Sequence, residues 1–377
     1  MIQPGKQILI TGGAGFVGSH LADGLLAAGH TVRMLDDLTP QVHANGARPA
    51  YLSPEVELVV GDVRDPNRLR EVLAGVDVIY HFAATVGVGQ SMYEIARYMS
   101  VNTQGTAELL QAMLDAKLTP EKLIVASSMS IYGEGRYVCS ACGLPAAPPV
   151  RSVAQLRSGK WDLPCEACGG VLNPAPTDET KPSEINSVYA LSKRDQEQLC
   201  LIYGRNYDLP VTALRFFNIY GTRQALSNPY TGVAAVFASR MLNGNAPMLF
   251  EDGEQMRDFV SVRDIVRANI LAIERPESNG EVINIGCGQP ITIRRVAELL
   301  AHALGRDVEP VISQKFRAGD IRHCYADISK ARRLLGYEPE VTHEEGFREL
   351  AEWLAEQEAE DKAETMLKEL STYGLTA

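Results

Sequence analysis

The sequence has no apolar run near the ~20 residues that a membrane-crossing helix needs. It has no excess of basic residues, and no repeat at the periods of solenoid proteins. The first absence removes a membrane-spanning reading. The second disfavours a general binder of nucleic acid or membrane surface. Lys and Arg number 36 against 47 Asp and Glu, and the net charge of −11 repels phosphate except at a local basic pocket. A basic–apolar–small leader is also missing, because Met1 is followed almost at once by Gln-Pro-Gly-Lys, so a cytoplasmic protein is expected. What is present is ordinary for a globular chain: 45% hydrophobic and 22% charged residues in 377. That excludes a disordered chain, a collagen and a coiled-coil rod. The length suggests roughly two to three lobes and a core that needs no staples. Cysteine is the exception. There are seven, an odd number, and four fall in two close pairs, which in a reducing compartment favours a metal over disulfides.

Short apolar runs at 7–10, 31–36, 57–62, 76–84, 122–133 and 211–221 read as strands, and 93–116 and 188–207 read as helices between them. The strands carry continuous apolar runs, as expected where helices cover both faces of a parallel sheet. Residues 134–182 break the rhythm. They are rich in Pro, Gly, Ala and Cys, too long for an ordinary loop, and read as an insertion with its own organiser. A second lobe is expected beyond about 222, and the acidic segment 346–377 reads as a terminal helix with a solvated face.

Gly12, Gly15 and Gly18 form G-x-x-G-x-x-G between the first strand and the first helix. The first glycine suits the tight turn, the second a close approach to pyrophosphate, and the third helix–strand packing. The following helix N-terminus, with Phe16 and Val17, offers N–H groups to phosphate. Asp36 closes the next strand, where a carboxylate accepts from both ribose hydroxyls and repels a 2′-phosphate. Asp37 follows with no adjacent arginine, so NAD is expected rather than NADP. Asp62, with Val63, ends the third strand, where the adenine is expected.

Tyr189 and Lys193 form Y-x-x-x-K, an i, i+4 pair that projects phenol and ammonium from one helix face. A tyrosine titrates near ~10, and a neighbouring cation lowers that value enough to make it a base. On its own the pattern is more often surface decoration. The polar strand end Ser127–Ser128–Met129–Ser130 changes that, because Ser128 can bond the same oxygen.

With these residues in view, the chain resembles the extended short-chain dehydrogenase/reductase family, the nucleotide-sugar epimerases and dehydratases. The resemblance spans about 6–345 and rests on TGGAGFVGSH, GDV, HFAA, VN at 101–102, SSMSIYG, YALSK, RFFNIYG, RDFVSVRD and RAGDIRHCYAD. It implies an α/β fold: a Rossmann doubly wound parallel sheet of seven strands, a smaller mixed α/β substrate domain and a zinc-knuckle insertion. The expected division is a cofactor domain over 1–195, carrying the insertion at 137–172, and a nucleotide-sugar domain over 196–345, partly interleaved with it. The resemblance further implies Phe82, Ala83 and Ala84 beside the cofactor, Asn102 steadying a loop, and Lys193 on the nicotinamide ribose. Asn218, Arg257 and Arg317 are implied to hold the diphosphate of the substrate, a role suited to guanidinium forks. A homodimer is also implied.

Within the family, 4,6-dehydratases carry Asp-Glu directly after the serine matched by Ser128, and sugar-acid decarboxylases carry Glu at the position of Ser130. Met129 and Ser130 stand there instead and cannot move those protons near neutral pH. What remains is oxidation at carbon 4, rotation of the sugar and return of hydride. The small residues Thr85, Val86 and Gly87 fit a pocket that tolerates a rotating keto-sugar.

Cys139-x-x-Cys142-Gly and Cys165-x-x-Cys168-Gly match a closed tetrahedral thiolate site. Structural zinc is expected, with iron or redox-active thiols as alternatives. Tyr132 and Tyr189 are 189 − 132 = 57 apart, far more than the family pattern requires, so the zinc loop is expected beside the sugar pocket. Cys200, Cys287 and Cys324 read as buried small hydrophobes. The insertion and the segments DLTPQVHA, VGVGQSMYEIARY and QALSNPYTGVAAVFASR resemble dTDP-L-rhamnose 4-epimerases, with UDP-glucose and UDP-glucuronate 4-epimerases as alternatives. A non-enzymatic NAD sensor is disfavoured because Ser128, Tyr189 and Lys193 are all present. A nucleic-acid module is disfavoured because the insertion pairs Arg136, Arg151, Arg157 and Lys160 with few aromatics, only Tyr137 and Trp161.

Overall fold

A computed structural model describes residues 5–43, 46–317 and 319–376. Ala44 and Ala318, which fall in two of the motif segments, lie outside the described residues, as do 1–4 and Ala377.

Five strands open the chain: β1 (Gln7–Thr11), β2 (Thr31–Asp36), β3 (Glu57–Val60), β4 (Val78–His81) and β5 (Lys122–Ser128). With Val211–Phe216 and Val282–Ile285 they form one seven-stranded sheet. From one edge the order is Val282–Ile285, Val211–Phe216, β5, β4, β1, β2, β3, and every pairing is parallel. Successive side chains of a strand point to opposite faces, and the sequence has apolar residues for both. Ile8, Ile10, Tyr80, Ile124, Leu214 and Ile283 enter the core beneath α1 (Phe16–Ala27) and the helix Val262–Glu274. Leu9, Ile79, Leu123, Val125 and Val211 enter the opposite core, under α2 (Pro66–Leu73), Gly105–Asp115 and Val188–Tyr207. The strand order reverses between β1 and β4, which opens a crevice at the carboxyl ends of those strands. Cys200 and Cys324 are buried in the two cores, and Cys287 is buried as well.

Two expectations change. The helix read over 93–116 is interrupted: Ile95–Tyr98 leads into a π-helical turn, Met99–Gln104, before Gly105–Asp115. The widened turn lets Asn102 reach sideways, and Gly105 lies so close to Val63 that a Cβ there would be 2.5 Å from its Cγ1. The strand read over 211–221 changes sheet at Phe217. Its first part ends in the central sheet, and Asn218–Tyr220 pairs instead with Met256–Ser261 in a second sheet. Beyond 222 the chain returns twice to the first lobe. Val262–Glu274 returns to pack on α1, where Gly24 faces Val266 and Ile270, and Val282–Ile285 completes the central sheet. The remainder packs Val233–Leu242, Ile293–Ala303 and His343–Leu354 around a third core.

The acidic terminal segment is two helices, His343–Leu354 and Ala363–Thr372, and the second is not a solvated ornament. Ala363, Met366 and Leu370 are buried, a one-sided stripe at helical spacing. The insertion forms a three-stranded sheet of Pro145–Ala146, Arg136–Cys139 and Leu172–Ala175, with its own small core of Tyr137, Leu163 and Leu172 around two of the cysteines. No helix among the described residues is long and apolar enough to cross a membrane.

The helix that carries Tyr189 and Lys193 is pinned to the sheet by a buried ion pair. Arg215 donates from Nε to Glu197 Oε2 at 2.9 Å and from Nη2 to Oε1 at 2.8 Å. Ser127 Oγ donates to the same carboxylate at 2.6 Å. Arg215 Nη1 donates to the Tyr132 hydroxyl at 2.8 Å, and that hydroxyl donates to Asn284 Oδ1 at 2.7 Å. Replacing Glu197 by Ala strands the guanidinium in the core, and urea denaturation is expected to show a loss of about 3–5 kcal/mol. The double replacement Glu197→Leu with Arg215→Met is expected to regain much of it. Equal stability of Glu197→Ala and the native chain would refute the pinning role.

Candidate active site

The site is built on the crevice. Gly12 leaves β1 with φ +68°, and a Cβ there would lie 2.7 Å from the Ala83 amide nitrogen, so the turn passes under the loop after β4 only as glycine. A Cβ on Gly18 would lie 2.7 Å from the carbonyl oxygens of Gly12 and Gly13. Gly15 starts α1 with no side-chain cap, and the only atom near a Cβ there is Gly12 O at 3.4 Å. Its first-turn N–H groups are therefore free at the positive end of the helix dipole, which fits a phosphate. Gly12, Gly15, Phe16, Val17 and Gly18 line a cavity of about 850 Å³ that runs from this turn into the second lobe.

Asp36 and Asp37 border the cavity. Asp36 is buried and accepts from the N–H groups of Ala14 and Leu38, each at 3.0 Å. Burial raises its carboxyl above the usual range. Asp62 and Val63 line the same end, and Asp62 Oδ1 accepts from Arg64 Nε at 2.9 Å. The hydrogen bond from Arg64 holds the Asp62 carboxyl below its usual range. Arg64 lines the cavity too but went unnoticed in the sequence, and Asp62 occupies its guanidinium. Phe82, Ala83 and Ala84 face the cavity; Asn102 does not. Asn102 is fully buried one layer behind. Its Oδ1 accepts from Thr85 N–H at 2.7 Å, and its Nδ2 donates to Thr85 O at 3.1 Å and Ser192 Oγ at 2.9 Å. It clamps the loop instead of meeting a ligand.

Ser128, Tyr189 and Lys193 all line the cavity. The tyrosine helix starts at a Ser187 cap, whose hydroxyl accepts from Ala190 N–H at 3.1 Å, and Tyr189 N–H donates to Ser91 Oγ at 3.0 Å. Burial pushes the phenol above its usual range, and a hydrogen bond with Ser128 offsets part of this. Ser128 Oγ accepts from the Ser130 N–H at 3.2 Å and the Ser130 hydroxyl at 2.9 Å, so its own proton is free for the phenol. Burial brings the Lys193 ammonium down to about 7. Lys193 Nζ donates to Gln196 Oε1 at 2.7 Å, and Gln196 Nε2 donates to Ala83 O at 3.2 Å and Thr106 Oγ1 at 3.0 Å. The phenol shift is thus opposite to the lowering expected from a lysine neighbour. Gln196 was missed, although its i+3 spacing from Lys193 placed it within reach.

At the far end the cavity meets Val86, Gly87, Asn218, Arg257 and Arg317. Asn218 Oδ1 is buried without a partner where the chain changes sheets. Arg257 is tied to backbone, donating to the carbonyls of Met256 at 2.8 Å, Arg322 at 3.0 Å and Ile321 at 2.7 Å. Arg317 lies over the Phe250 ring at 4.7 Å and donates to Asp320 Oδ2 at 2.8 and 3.0 Å. Burial pushes the Asp320 carboxyl up, but Arg317 and Arg257 outweigh it and hold it below its usual range. Asp320, which holds Arg317 in place, falls within the RAGDIRHCYAD motif but had no role assigned from the sequence.

The four cysteine sulfurs lie within 4.8 Å of one another, Cys139 with Cys168 at 3.5 Å and Cys142 with Cys165 at 3.8 Å. Thiolates about 2.3 Å from a tetrahedral zinc stand about 3.8 Å apart, so the donor set fits. The expected position beside the sugar is corrected: no described residue of 131–185 lines the cavity. The insertion docks instead through buried charge. Arg151 donates to both oxygens of Glu251 at 2.8 and 2.9 Å and to Asp320 O at 3.2 Å. Arg322 joins the same Glu251 at 3.2 Å, and Glu134 accepts from the N–H groups of Arg322 at 2.7 Å and His323 at 3.2 Å. Arg136 pairs with Asp178 at 2.8 Å. Of the insertion's basic residues, Arg151 is therefore fully buried, while Arg136 is half-buried in its ion pair.

Comparison with known proteins agrees with this geometry. The model of the NAD dependent epimerase/dehydratase family matches residues 8–149 and 165–286. The dTDP-L-rhamnose 4-epimerase of Burkholderia thailandensis is 36% identical over 94% of this chain and 96% of its own. The UDP-glucose 4-epimerase of Thermotoga maritima, solved with UDP-glucose, superposes with a TM-score of 0.75 at 32% identity, over 93% of this chain and 98% of that one. The UDP-glucuronic acid 4-epimerase of Bacillus cereus, solved with UDP-glucuronic acid and NAD, gives a TM-score of 0.75 at 27% identity, over 93% and 99%. The glycine turn at the switch point, the Ser–Tyr–Lys group in the cavity and these likenesses place the chain in the NAD dependent epimerase/dehydratase family.

Proposed function

We propose that this chain is an NAD-dependent nucleotide-sugar 4-epimerase that interconverts dTDP-L-rhamnose and dTDP-6-deoxy-L-talose through a 4-keto sugar. The observation that carries the reaction type is the cavity wall at Ser128. Ser128 and Tyr189 line the cavity together there, while the neighbouring Met129 and Ser130 offer no acid or base for eliminating water. The Burkholderia thailandensis enzyme supports the sugar. The fold likeness to UDP-glucose and UDP-glucuronic acid 4-epimerases keeps a UDP-sugar as the second reading.

When bound, NAD would supply the hydride acceptor and donor for carbon 4 of the sugar. The first turn of α1, with Gly15, Phe16, Val17 and Gly18, holds the pyrophosphate, Asp36 the ribose, and Lys193 the second ribose. Tyr189 takes the proton of the 4-hydroxyl and gives it back after the sugar turns. Ser128 donates to the same oxygen. Gln196 orients Lys193, and Asp320 orients Arg317 toward the diphosphate that Asn218 and Arg257 share. Cys139, Cys142, Cys165 and Cys168 hold a zinc with no open position, so the metal is structural. The helices Gly105–Asp115 and Val188–Tyr207 expose Leu114, Leu191, Ile202 and Tyr207, which suits a homodimer packed through them.

Proton NMR in heavy water with dTDP-L-rhamnose, UDP-glucose and UDP-glucuronate in separate tubes tests the reading. Inversion at carbon 4 without deuterium uptake is expected with the first. Tyr189→Phe is expected to lose about 10²–10⁴-fold in rate while NAD binding persists. Deuterium entering carbon 3 or 5 would overturn the 4-epimerase assignment.

Zinc is checked by metal analysis. One zinc per chain is expected in the native protein and none in Cys165→Ser, which should melt earlier yet retain NAD binding. Iron, or a metal-free native protein, would remove zinc from the account.

Lys193 predicts a pH signature. In the unfolded chain it keeps its proton to 10.5, and in the fold only to about 7. Between those values the unfolded state binds more protons, so this group raises stability as pH climbs and costs most below about 7. Lys193→Met is expected to be inactive yet to melt at or above the native temperature near pH 7, the gap narrowing toward pH 10. A variant that melts lower at every pH would show that the bond to Gln196 outweighs the buried charge.

A further inference from the structure

The segment 359–376 forms part of the cavity wall and is fastened at three places. At its start, Asn243 Nδ2 donates to Ala359 O at 2.7 Å, Ser239 Oγ to Glu360 O at 3.0 Å, and Asn245 Nδ2 to Asp361 Oδ2 at 2.7 Å. All three anchors belong to the second lobe. In its middle the helix Ala363–Thr372 lies on the first lobe. Glu369 accepts from Tyr93 at 3.0 Å and from Tyr230, Tyr373 stacks on Tyr93 at 4.7 Å, and a Cβ on Gly89 would lie 3.1 Å from Leu370. At its end, Thr376 forms a backbone bridge with Arg317. The face turned inward is apolar: Ala363, Met366, Leu370 and Leu375 line the cavity. The floor of Val86, Gly87 and Met92 lines it too.

We propose that Met366 and Leu370 are specificity residues, forming the apolar wall that the sugar of the substrate meets on the side away from the cofactor. The inference rests on the nucleotide-sugar reading above and deepens it. A wall of thioether and isobutyl groups offers a methyl substituent a dry contact and offers a hydroxymethyl or carboxylate no partner, so it selects for a 6-deoxy sugar. The three fastenings join both lobes, and the mid-segment one sits on the floor that carries Gly87. The segment is thereby held against the cavity as part of its wall.

Hydrogen exchange of the full-length protein tests the wall without turnover. Peptides over 363–372 are expected to gain protection with dTDP-L-rhamnose, less with UDP-glucose, and none with NAD alone or with dTDP alone. Kinetics supply the second arm. Met366→Ala and Leu370→Ala are each expected to raise KM for dTDP-L-rhamnose about 10-fold or more, with kcat within about twofold and NAD affinity unchanged. Glu369→Gln, which keeps the apolar face but weakens its fastening, is expected to raise KM less. Unchanged KM in both apolar variants, or protection by NAD alone, would overturn the proposal. If no sugar in the panel is turned over but protection of 363–372 still follows a nucleotide sugar, the wall stands and the catalytic reading falls. If turnover is normal and no sugar protects the segment, the wall falls and the catalytic reading stands.

Discussion

The site depends first on one buried charge pair, Glu197 with Arg215. Neither side chain reaches solvent to any useful extent, at 0% and 7% exposure. Taking both from water carries a penalty of several kcal/mol per ion, which only a fully bonded geometry offsets. The fold provides that geometry: two parallel N–H···O bonds, the Ser127 hydroxyl on the same carboxylate, and Tyr132 on the remaining guanidinium nitrogen. A leucine pair could fill the space but could not fix the angle. The catalytic helix, the end of β5 and the strand beside it thereby hold one register, and Tyr189 projects where Ser128 can meet it.

A second buried network does for the substrate lobe what the first does for the cofactor lobe. Glu134 and Arg151 come from the insertion; Glu251 and Arg322 come from the lobe that carries Arg257. The carbonyl of Asp320 accepts from Arg151, and the side chain of Asp320 accepts from Arg317. The cysteine insertion therefore bears on the Arg317 end of the cavity through a relay of charged groups, although none of it lines that cavity. A closed thiolate cluster suits such a brace, because it makes a short, irregular sheet rigid where its own core is only a handful of residues.

The cleft itself is a product of two divergences. The strand order reverses between β1 and β4, and the chain switches sheets at Phe217, leaving Asn218 Oδ1 unpartnered at the junction. Between those points lies one continuous cavity, with free N–H groups at one end and arginines at the other. The lobes share strands and helices, so neither is an independent body on a hinge. What crosses between them on the outside is the 359–376 segment.

The residues legible in the sequence were those whose chemistry is local. A positive-φ glycine turn, an i, i+4 tyrosine and lysine, and two C-x-x-C-G knuckles are set by backbone sterics and helix pitch, which act over a few residues. The fold class followed from the same locality, since strand and helix periods are short-range. Gln196, Asp320, the Glu197–Arg215 pair and the buried face of 363–372 were not legible as function. The ion pair and the apolar face owe their roles to partners far along the chain, which no single stretch of sequence names, whereas Gln196 and Asp320 sit three residues from Lys193 and Arg317 and only the fold shows that they meet them. The sequence by itself thus determined the fold class and named the candidate groups of the site. Only the tertiary structure decided the direction in which burial shifts them and which side chains wall the cleft, because both depend on which surfaces the folded chain removes from water.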